Sequence, residues 1–206
     1  TGAGRFFVAG ADIRVLASIS SSAEGEAIAR RGQTIFHNIE EIEKPVIAAI
    51  NGACLGGGLE LAMCCHIRIA AENARLGLPE INLGIMPGFG GTQRLCRLIG
   101  QSKAMELILT GEPISAREAM SLGLVSQVVS TDDLLGHAQR LARKMAGKSQ
   151  AALRASFRAI RQGSKLDLSD GLALESRLFG ALCDTDDRKE GVAAFLEKRQ
   201  PRFRNR

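Results

Sequence analysis

The first half of the chain alternates short apolar runs with longer segments of helical periodicity. Residues 6–8 form a short apolar run, and Ile13 opens a helical pattern that continues to about residue 43 with a polar break at 18–22. After Pro45 the β-branched run at 46–50 is typical of a buried strand in a parallel sheet. Because strands and helices alternate in this way, the pattern predicts an α/β fold.

The second half of the chain is mostly helical in pattern. From residue 149 onward no strand signal remains, so we expect a helical region at 148–206 after an α/β core at 1–147. A capping box at Ser115 and N-cap residues at Thr131 and Thr185 support the helix starts. The remaining predicted elements are strands at 67–70, 74–77 and 124–129, helices ending at Gly100, Gly111 and Gly123, and helices at 131–145, 150–162, 168–183 and 186–199.

The C-terminal helices carry large apolar side chains, among them Leu172, Phe179 and Phe195. Apolar faces of this size must be buried, either against the core or against another copy of the chain. We therefore expect an oligomer. The basic segment 199–206 that ends the chain reads as a solvated, poorly ordered tail.

A glycine-rich turn stands between a predicted strand and a predicted helix at LGGGLELAMCC, residues 55–65. Backbone N–H groups at such a turn and helix start are unpaired and free of side chains, so they can bind an oxyanion. Glu60 falls in the first turn of that helix, and Glu80 follows Pro79 in a short loop. Donors for a developing negative charge beside two carboxylates are suited to proton transfer next to a carbonyl.

Each of these features has an ordinary structural explanation when it is taken singly. Glycines permit close helix packing, and Glu60 would complement the helix dipole in a first turn. Glu80 would be a surface turn residue. The ordered combination of all three is what favours a catalytic site.

Composition and charge narrow the classes of function. Of the 206 residues, 45% are hydrophobic and 24% charged, and no long apolar run or leader is present, so we expect a soluble protein of the cytoplasm, or of the mitochondrial matrix in a eukaryote. The five cysteines read as free buried thiols and the three histidines are scattered, so no metal site is predicted.

The net charge of +5 indicates a solvated basic surface or a phosphate-bearing small molecule as partner. With no Tyr or Trp and 4% aromatic residues, the chain lacks the stacking side chains of a single-stranded nucleic-acid binder, so nucleic acid is disfavoured.

Four segments together resemble, in order and spacing, the enoyl-CoA hydratase/isomerase (crotonase) superfamily, most closely a short-chain enoyl-CoA hydratase. They are FFVAGADI, KPVIAAINGACLGGGLELAMCC, ARLGLPEINLGIMPGFGGTQRL and FGALCDTDDRKEGVAAFLEKRQPRF. The resemblance covers nearly the whole chain. It implies a spiral of β-β-α units followed by a C-terminal helical trimerisation region, with a trimer or a dimer of trimers (a hexamer) as the assembly.

The resemblance also implies the reaction and its residues. The N–H groups of Ala11 and Gly57 would form the oxyanion hole for a thioester carbonyl, and Glu60 and Glu80 would be the catalytic pair that adds one water to the double bond. The expected activity is that of a lyase in fatty-acid β-oxidation, the reversible syn hydration of a 2-enoyl-CoA. Coenzyme A is then part of the substrate, so no cofactor is expected.

Substrate-binding positions are carried over from the same resemblance. Arg14 would lie at the nucleotide end of coenzyme A, together with Phe179 and Lys198 of a neighbouring subunit, although Lys198 at a helix end has a simpler explanation as a solvated cation. The expected binding residues are Gly10, Asp12, Ile13, Arg14, Gly56, Pro79, Gly88, Phe179 and Lys198.

Two features depart from the family pattern. Strands that family members carry before the TGAGRFF segment are missing here, so either the chain is incomplete or the first sheet has an exposed edge strand. His66 occupies a position, in CCHIRIA, where the family usually has an acidic residue. We expect it to be a hydrogen-bonded, partly buried histidine.

Other functions remain open at this level. Within the superfamily these are isomerase, dehalogenase and decarboxylase activities, and an inactive or RNA-binding homologue. A serine protease on the same fold ranks last, because no Ser has a suitably placed His and acid.

Overall fold

The computed structural model describes residues 1–204, which fall into two compact units, one of Thr1–Ala138 and a second that begins at Gln139. Compact units need not coincide with functional regions, so the division after residue 147 stays a prediction. Along the described part of the chain, no helix is both long and apolar enough to cross a membrane.

The strands of the first unit form two sheets. One has the order β1-β3-β5-β6 and the other the order β2-β4-β7, and every pair is parallel except the antiparallel β5 and β6. The strands are β1 (Phe6–Val8), β2 (Ile47–Ile50), β3 (Ala53–Leu55), β4 (Ile67–Ala71), β5 (Arg75–Gly77), β6 (Ile114–Ser115) and β7 (Gln127–Val129).

Ten α-helices and one 3₁₀ helix, Pro79–Leu83, are present in residues 1–204. The α-helices are α1 (Ile13–Ala17), α2 (Ser22–Glu40), α3 (Gly57–Cys64), α4 (Gly91–Ile99), α5 (Gln101–Thr110), α6 (Ala116–Ser121), α7 (Leu134–Ala146), α8 (Gln150–Gly163), α9 (Leu168–Cys183) and α10 (Asp186–Leu196). The predicted α/β class and the helical C-terminal region are confirmed.

Strands β2 and β4 explain the buried β-branched runs. All of β2 pairs in parallel with β4, and Ile50 and Ile69 are completely buried. A strand covered on both faces has no polar alternation, which is the pattern that the sequence shows after Pro45. The prediction of a buried parallel strand there is confirmed.

Close packing of β1 on the start of α3 positions the residues that follow β1. A Cβ atom added to Gly58 would lie 2.0 Å from the carbonyl oxygen of Val8, so only glycine allows this approach. Asn51 fixes the chain before β1, because its side chain accepts from the N–H of Gly2 and donates to the carbonyl of Gly4. The residues after β1 are thereby held beside α3.

Several details differ from the sequence-based prediction. β3 and β6 were not predicted, because each is short and β3 stands between two glycine-containing turns. The loop predicted around Glu80 is a 3₁₀ helix. The segment predicted to be a solvated tail is bonded to α10: Arg199 pairs with Glu190 at 2.6 Å, and the N–H of Arg204 donates to Asp187. The last two residues of that segment, 205 and 206, lie outside the described residues.

Candidate active site

Two backbone amides face a common space at the start of α3. Gly57 is the first residue of the helix, and the nitrogen of Ala11 lies 3.8 Å from where a Cβ of Gly57 would be. Among the hydrogen bonds of residues 1–204, neither N–H has an acceptor. Both donors are therefore unused within the described residues, and they lie at the N-terminus of α3, where the helix dipole favours negative charge.

Gly56, directly before α3, adopts a φ of +55° that side chains rarely tolerate. A Cβ at this position would also lie 3.0 Å from Oε1 of Glu80. Glycine at position 56 therefore provides both the turn into α3 and the room for the Glu80 carboxyl.

Glu60 is 1% exposed and is held by the chain segment that follows Pro87. Its Oε1 accepts from the N–H of Phe89 at 2.9 Å and from the N–H of Gly91 at 2.7 Å. Burial raises the pKa of Glu60 to about 7, and the nearby charge of Glu80 adds to the increase, while the two N–H donors oppose it. Such a group exchanges a proton near neutral pH.

Glu80 lies in the 3₁₀ helix, which ends at Gly84 in a left-handed conformation. Its Oε2 is buried and has no hydrogen-bond partner among the described residues. Burial raises the pKa of this carboxyl as well. A buried acceptor without a partner costs free energy, and at a candidate site it points to a ligand that supplies the missing bond.

Both carboxyls and both amides line one cavity of about 720 Å³ in the first unit. Most of the residues expected at the site also line it, and they are Gly10, Ala11, Ile13, Gly56, Gly57, Glu60, Pro79, Glu80 and Gly88. The geometry thus gathers segments that are far apart in the sequence around one space.

Four expected binding residues do not line this cavity. Asp12 caps α1 and pairs with Arg14 at 2.9 Å, and the Arg14 side chain is 91% exposed. Phe179 is exposed on α9, and Lys198 follows α10 in the second unit. Their role in binding coenzyme A stays a prediction.

The sequence analysis missed a charged pair behind Glu60. Arg94 on α4 binds Glu40 through Nε and Nη2 at 2.6 and 3.1 Å, and its Nη1 donates to the carbonyl of Phe89 at 2.8 Å. Phe89 is therefore held on one side by Glu60 and on the other by Arg94. The one sequence signal of this charged pair was an arginine within the apolar pattern of α4.

His66 also contacts Glu40, the residue that pairs with Arg94. Its Nδ1 accepts from the N–H of Val46 at 2.8 Å, and its Nε2 lies 3.2 Å from the carbonyl oxygen of Glu40. These contacts require a proton on Nε2 and none on Nδ1, which is a neutral imidazole. The prediction of a hydrogen-bonded, partly buried histidine is confirmed, and His66 links the end of α2 to the start of β2.

Residues of α2 were also missed. Ile28, Ala29 and Gln33 line the cavity, and Gln33 donates to the carbonyl of Gly88 at 2.8 Å. The helical periodicity of this segment predicts a buried face but not what that face covers. The identity of the cavity wall therefore depends on the tertiary fold.

The chain has two sheets followed by helices, and near the glycine turn it has two unpaired amides, the buried Glu60 and Glu80 with a buried Oε2. This combination defines a crotonase-type protein. The chain belongs to the enoyl-CoA hydratase/isomerase family, whose pattern matches residues 1–206.

Among individual relatives, the sequence is 51% identical to a probable enoyl-CoA hydratase of Bacillus subtilis, over 98% of this chain and 79% of that protein. It is 48% identical to a crotonyl-CoA hydratase of Syntrophomonas wolfei, over 98% of this chain and 78% of that protein. The crystal structure of an enoyl-CoA hydratase from Bacillus anthracis superposes with a TM-score of 0.94 at 45% identity, covering 100% of this chain and 80% of that one.

Proposed function

We propose that this chain is an enoyl-CoA hydratase, a carbon–oxygen lyase that reversibly adds water across the double bond of a 2-enoyl-CoA to give a 3-hydroxyacyl-CoA. One observation carries the proposal: two unpaired N–H groups, the buried Glu60 and Glu80 with its buried Oε2 line the same cavity. The names of the relatives from Bacillus subtilis and Syntrophomonas wolfei support it.

The amides of Ala11 and Gly57 bind the thioester carbonyl oxygen. As water adds at C3, negative charge moves onto this oxygen, and hydrogen bonds to it become stronger in the transition state than in the ground state. Losing one such donor typically raises a barrier by about 3 to 4 kcal/mol. The two amides therefore make C3 electrophilic.

The two carboxyls move the protons. Glu60 accepts bonds from two N–H groups, which favour its ionised form, so it takes a proton from the attacking water. Glu80 has a buried Oε2 without a donor, which favours the protonated form, so it gives its proton to C2. After one turnover the protonation states are exchanged and are restored through solvent.

The reverse reaction uses the same groups in opposite roles. Because the charge of Glu80 contributes to the raised pKa of Glu60, we expect a pH–rate profile to report both carboxyls together. The amides stabilise the enolate and the carboxyls transfer both protons, so the proposed reaction calls for no cofactor beyond the coenzyme A of the substrate.

The same proposal includes the oligomeric state, the cellular location and the metabolic process. Leu168, Phe195 and Leu196 in the second unit are between 73% and 83% exposed in the single chain. Burying such side chains in a trimer or a dimer of trimers would remove this surface from water. We place the enzyme in the cytoplasm, in fatty-acid β-oxidation, and light scattering of the purified protein would determine the number of copies.

The test of the reaction is hydration of crotonyl-CoA, followed as loss of the absorbance of the conjugated thioester. The wild type should hydrate it, and Glu60→Gln and Glu80→Gln should each lose most of the activity. Glu106→Gln is a matched control, because Glu106 is exposed on α5 and pairs with Lys103. Undiminished activity in both cavity variants would contradict the proposal.

A further inference from the structure

Phe89 stands directly beside the proposed reaction centre. Its N–H donates to Oε1 of Glu60 and its carbonyl accepts from Arg94, so its backbone is fixed at both ends of the residue. A side chain on a backbone held in this way has little freedom to move out of the cavity. The position of the Phe89 ring is therefore part of the shape of the site.

The ring lies between α2 and the glycine turn. A Cβ on Gly32 would be 2.3 Å from Cδ1 of Phe89, and a Cβ on Gly57 would be 3.6 Å from Cδ2, on the other edge of the ring. Phe36 contacts it edge to face with the ring centroids 5.7 Å apart. The absence of a side chain at Gly32 is what gives the ring its place, and the ring in turn lines the cavity.

The charge of the cavity wall adds a second constraint. Among the described residues that line the cavity, the charged side chains are those of Glu26, Glu60 and Glu80, and no Lys, Arg or His is present. An acyl chain that ends in a carboxylate would find no cation here and would meet acidic side chains. An uncharged chain would contact mainly apolar groups, such as Ile28 and Met86.

We propose that the Phe89 ring is the steric limit of the acyl pocket, so that the enzyme acts on short, uncharged 2-enoyl thioesters. This inference rests on the proposed hydratase function. The ring lies 3.6 Å from the Cβ position of Gly57, and the N–H of Phe89 is bonded to Glu60, so the ring borders the space that the proposed reaction assigns to the reacting carbons. We infer that carbons beyond C4 run past this ring, so that its position limits the chain length.

The experiment measures kcat/KM for crotonyl-CoA, trans-2-decenoyl-CoA and 2,3-dehydroadipyl-CoA with the wild type and with Phe89→Ala. The wild type should prefer crotonyl-CoA to each of the others by about tenfold or more, since a few methylenes in a pocket discriminate to this extent. Phe89→Ala should shift the decenoyl-to-crotonyl ratio about tenfold toward the long chain. It should not improve the substrate with the terminal carboxylate.

Gly32→Ala should change the decenoyl-to-crotonyl ratio in the opposite direction. Its methyl group would displace the ring toward Gly57, so the discrimination against decenoyl-CoA should increase, and adding Phe89→Ala should cancel that increase. If Phe89→Ala does not fold, Phe89→Leu and Gly32→Ala test the same ratio.

The outcomes separate the two proposals. A wild type that hydrates crotonyl-CoA, with a decenoyl-to-crotonyl ratio unchanged in the Phe89 variants, would overturn the role of the ring and leave the hydratase function standing. Preference of the wild type for 2,3-dehydroadipyl-CoA would overturn the uncharged-chain inference. Absence of hydration of all three thioesters would overturn the proposed function, and this inference with it.

Discussion

The two carboxyl groups of the cavity are presented by different kinds of structure. Glu60 lies in the first turn of α3, with one oxygen bonded to two N–H groups of another chain segment. Glu80 lies in a short 3₁₀ helix, and its Oε2 is buried without a partner among residues 1–204. One acid is fixed before substrate arrives, and the other is left with an unfilled bond.

In the proposed reaction, this difference assigns different roles in hydration to the two carboxyls. Donors around Glu60 fix its orientation and favour its charged form, as required of a base that aligns a water. Glu80 has a buried Oε2 without a donor, which agrees with the proposed role of an acid whose proton leaves during the reaction. Burial raises the pKa of both groups, so each operates closer to neutral pH than an exposed glutamate.

The largest effect is expected when either of the two carboxyls is replaced. Glu60→Gln and Glu80→Gln should each lower kcat for crotonyl-CoA by about 10² to 10⁴-fold, the usual contribution of a general acid or base. The double variant should fall far short of the product of the two losses, because both act on one water and one substrate. Losses that multiply fully would show that the two carboxyls act independently.

A change in the packing between β1 and α3 should act through the two amides. Gly58→Ala would force β1 away from α3, since its Cβ would lie 2.0 Å from the Val8 carbonyl, and Ala11 would move with the strand. We expect a loss of about 10² to 10³-fold in kcat, comparable to losing an oxyanion donor. Gly147→Ala is the control, because its Cβ would make only ordinary contacts, and wild-type activity of Gly58→Ala would contradict the account.

The pH dependence of stability should show the cost of holding Glu60 in place. Its pKa rises from an ordinary value of 4.5 to about 7 on folding, so the folded state binds more protons between these values and stability falls as the pH increases through them. The shift corresponds to about 3 kcal/mol. Thermal unfolding of Glu60→Gln should lack this loss between pH 5 and 8, and parallel curves for variant and wild type would refute it.

The smallest effect is expected for Arg94, which holds the chain segment that binds Glu60. Arg94→Gln should lower kcat by about tenfold, because the Phe89 segment loses one of its two attachments. The charged groups that act on Glu60 are Glu80 and Arg94, and removing the cation should raise the pKa of Glu60 and move the pH–rate profile to higher pH. Arg97→Gln on the exposed side of α4 is the control, and an unmoved profile would exclude this role for Arg94.

The sequence was informative where local chemistry determines structure. The strand, glycine turn and helix around Gly57 follow from an apolar run, a flexible backbone and a first-turn glutamate. Glu80 was singled out by its place in a short loop after Pro79, and the family resemblance adds the oxyanion role of Ala11. It was uninformative where contacts come from distant segments. Nothing local shows that the N–H groups of Phe89 and Gly91 bind Glu60, and nothing local in α2 shows that it forms a wall of the cavity.

The most direct test of the account is a crystal structure with 3-hydroxybutyryl-CoA bound. We predict the thioester oxygen within about 2.7 to 3.2 Å of the nitrogens of both Ala11 and Gly57, the range of ordinary hydrogen bonds. The 3-hydroxyl should contact Glu60, and Glu80 should face C2 from the same side. A thioester oxygen remote from either amide, or carboxyls on opposite faces of the acyl chain, would contradict the central claim.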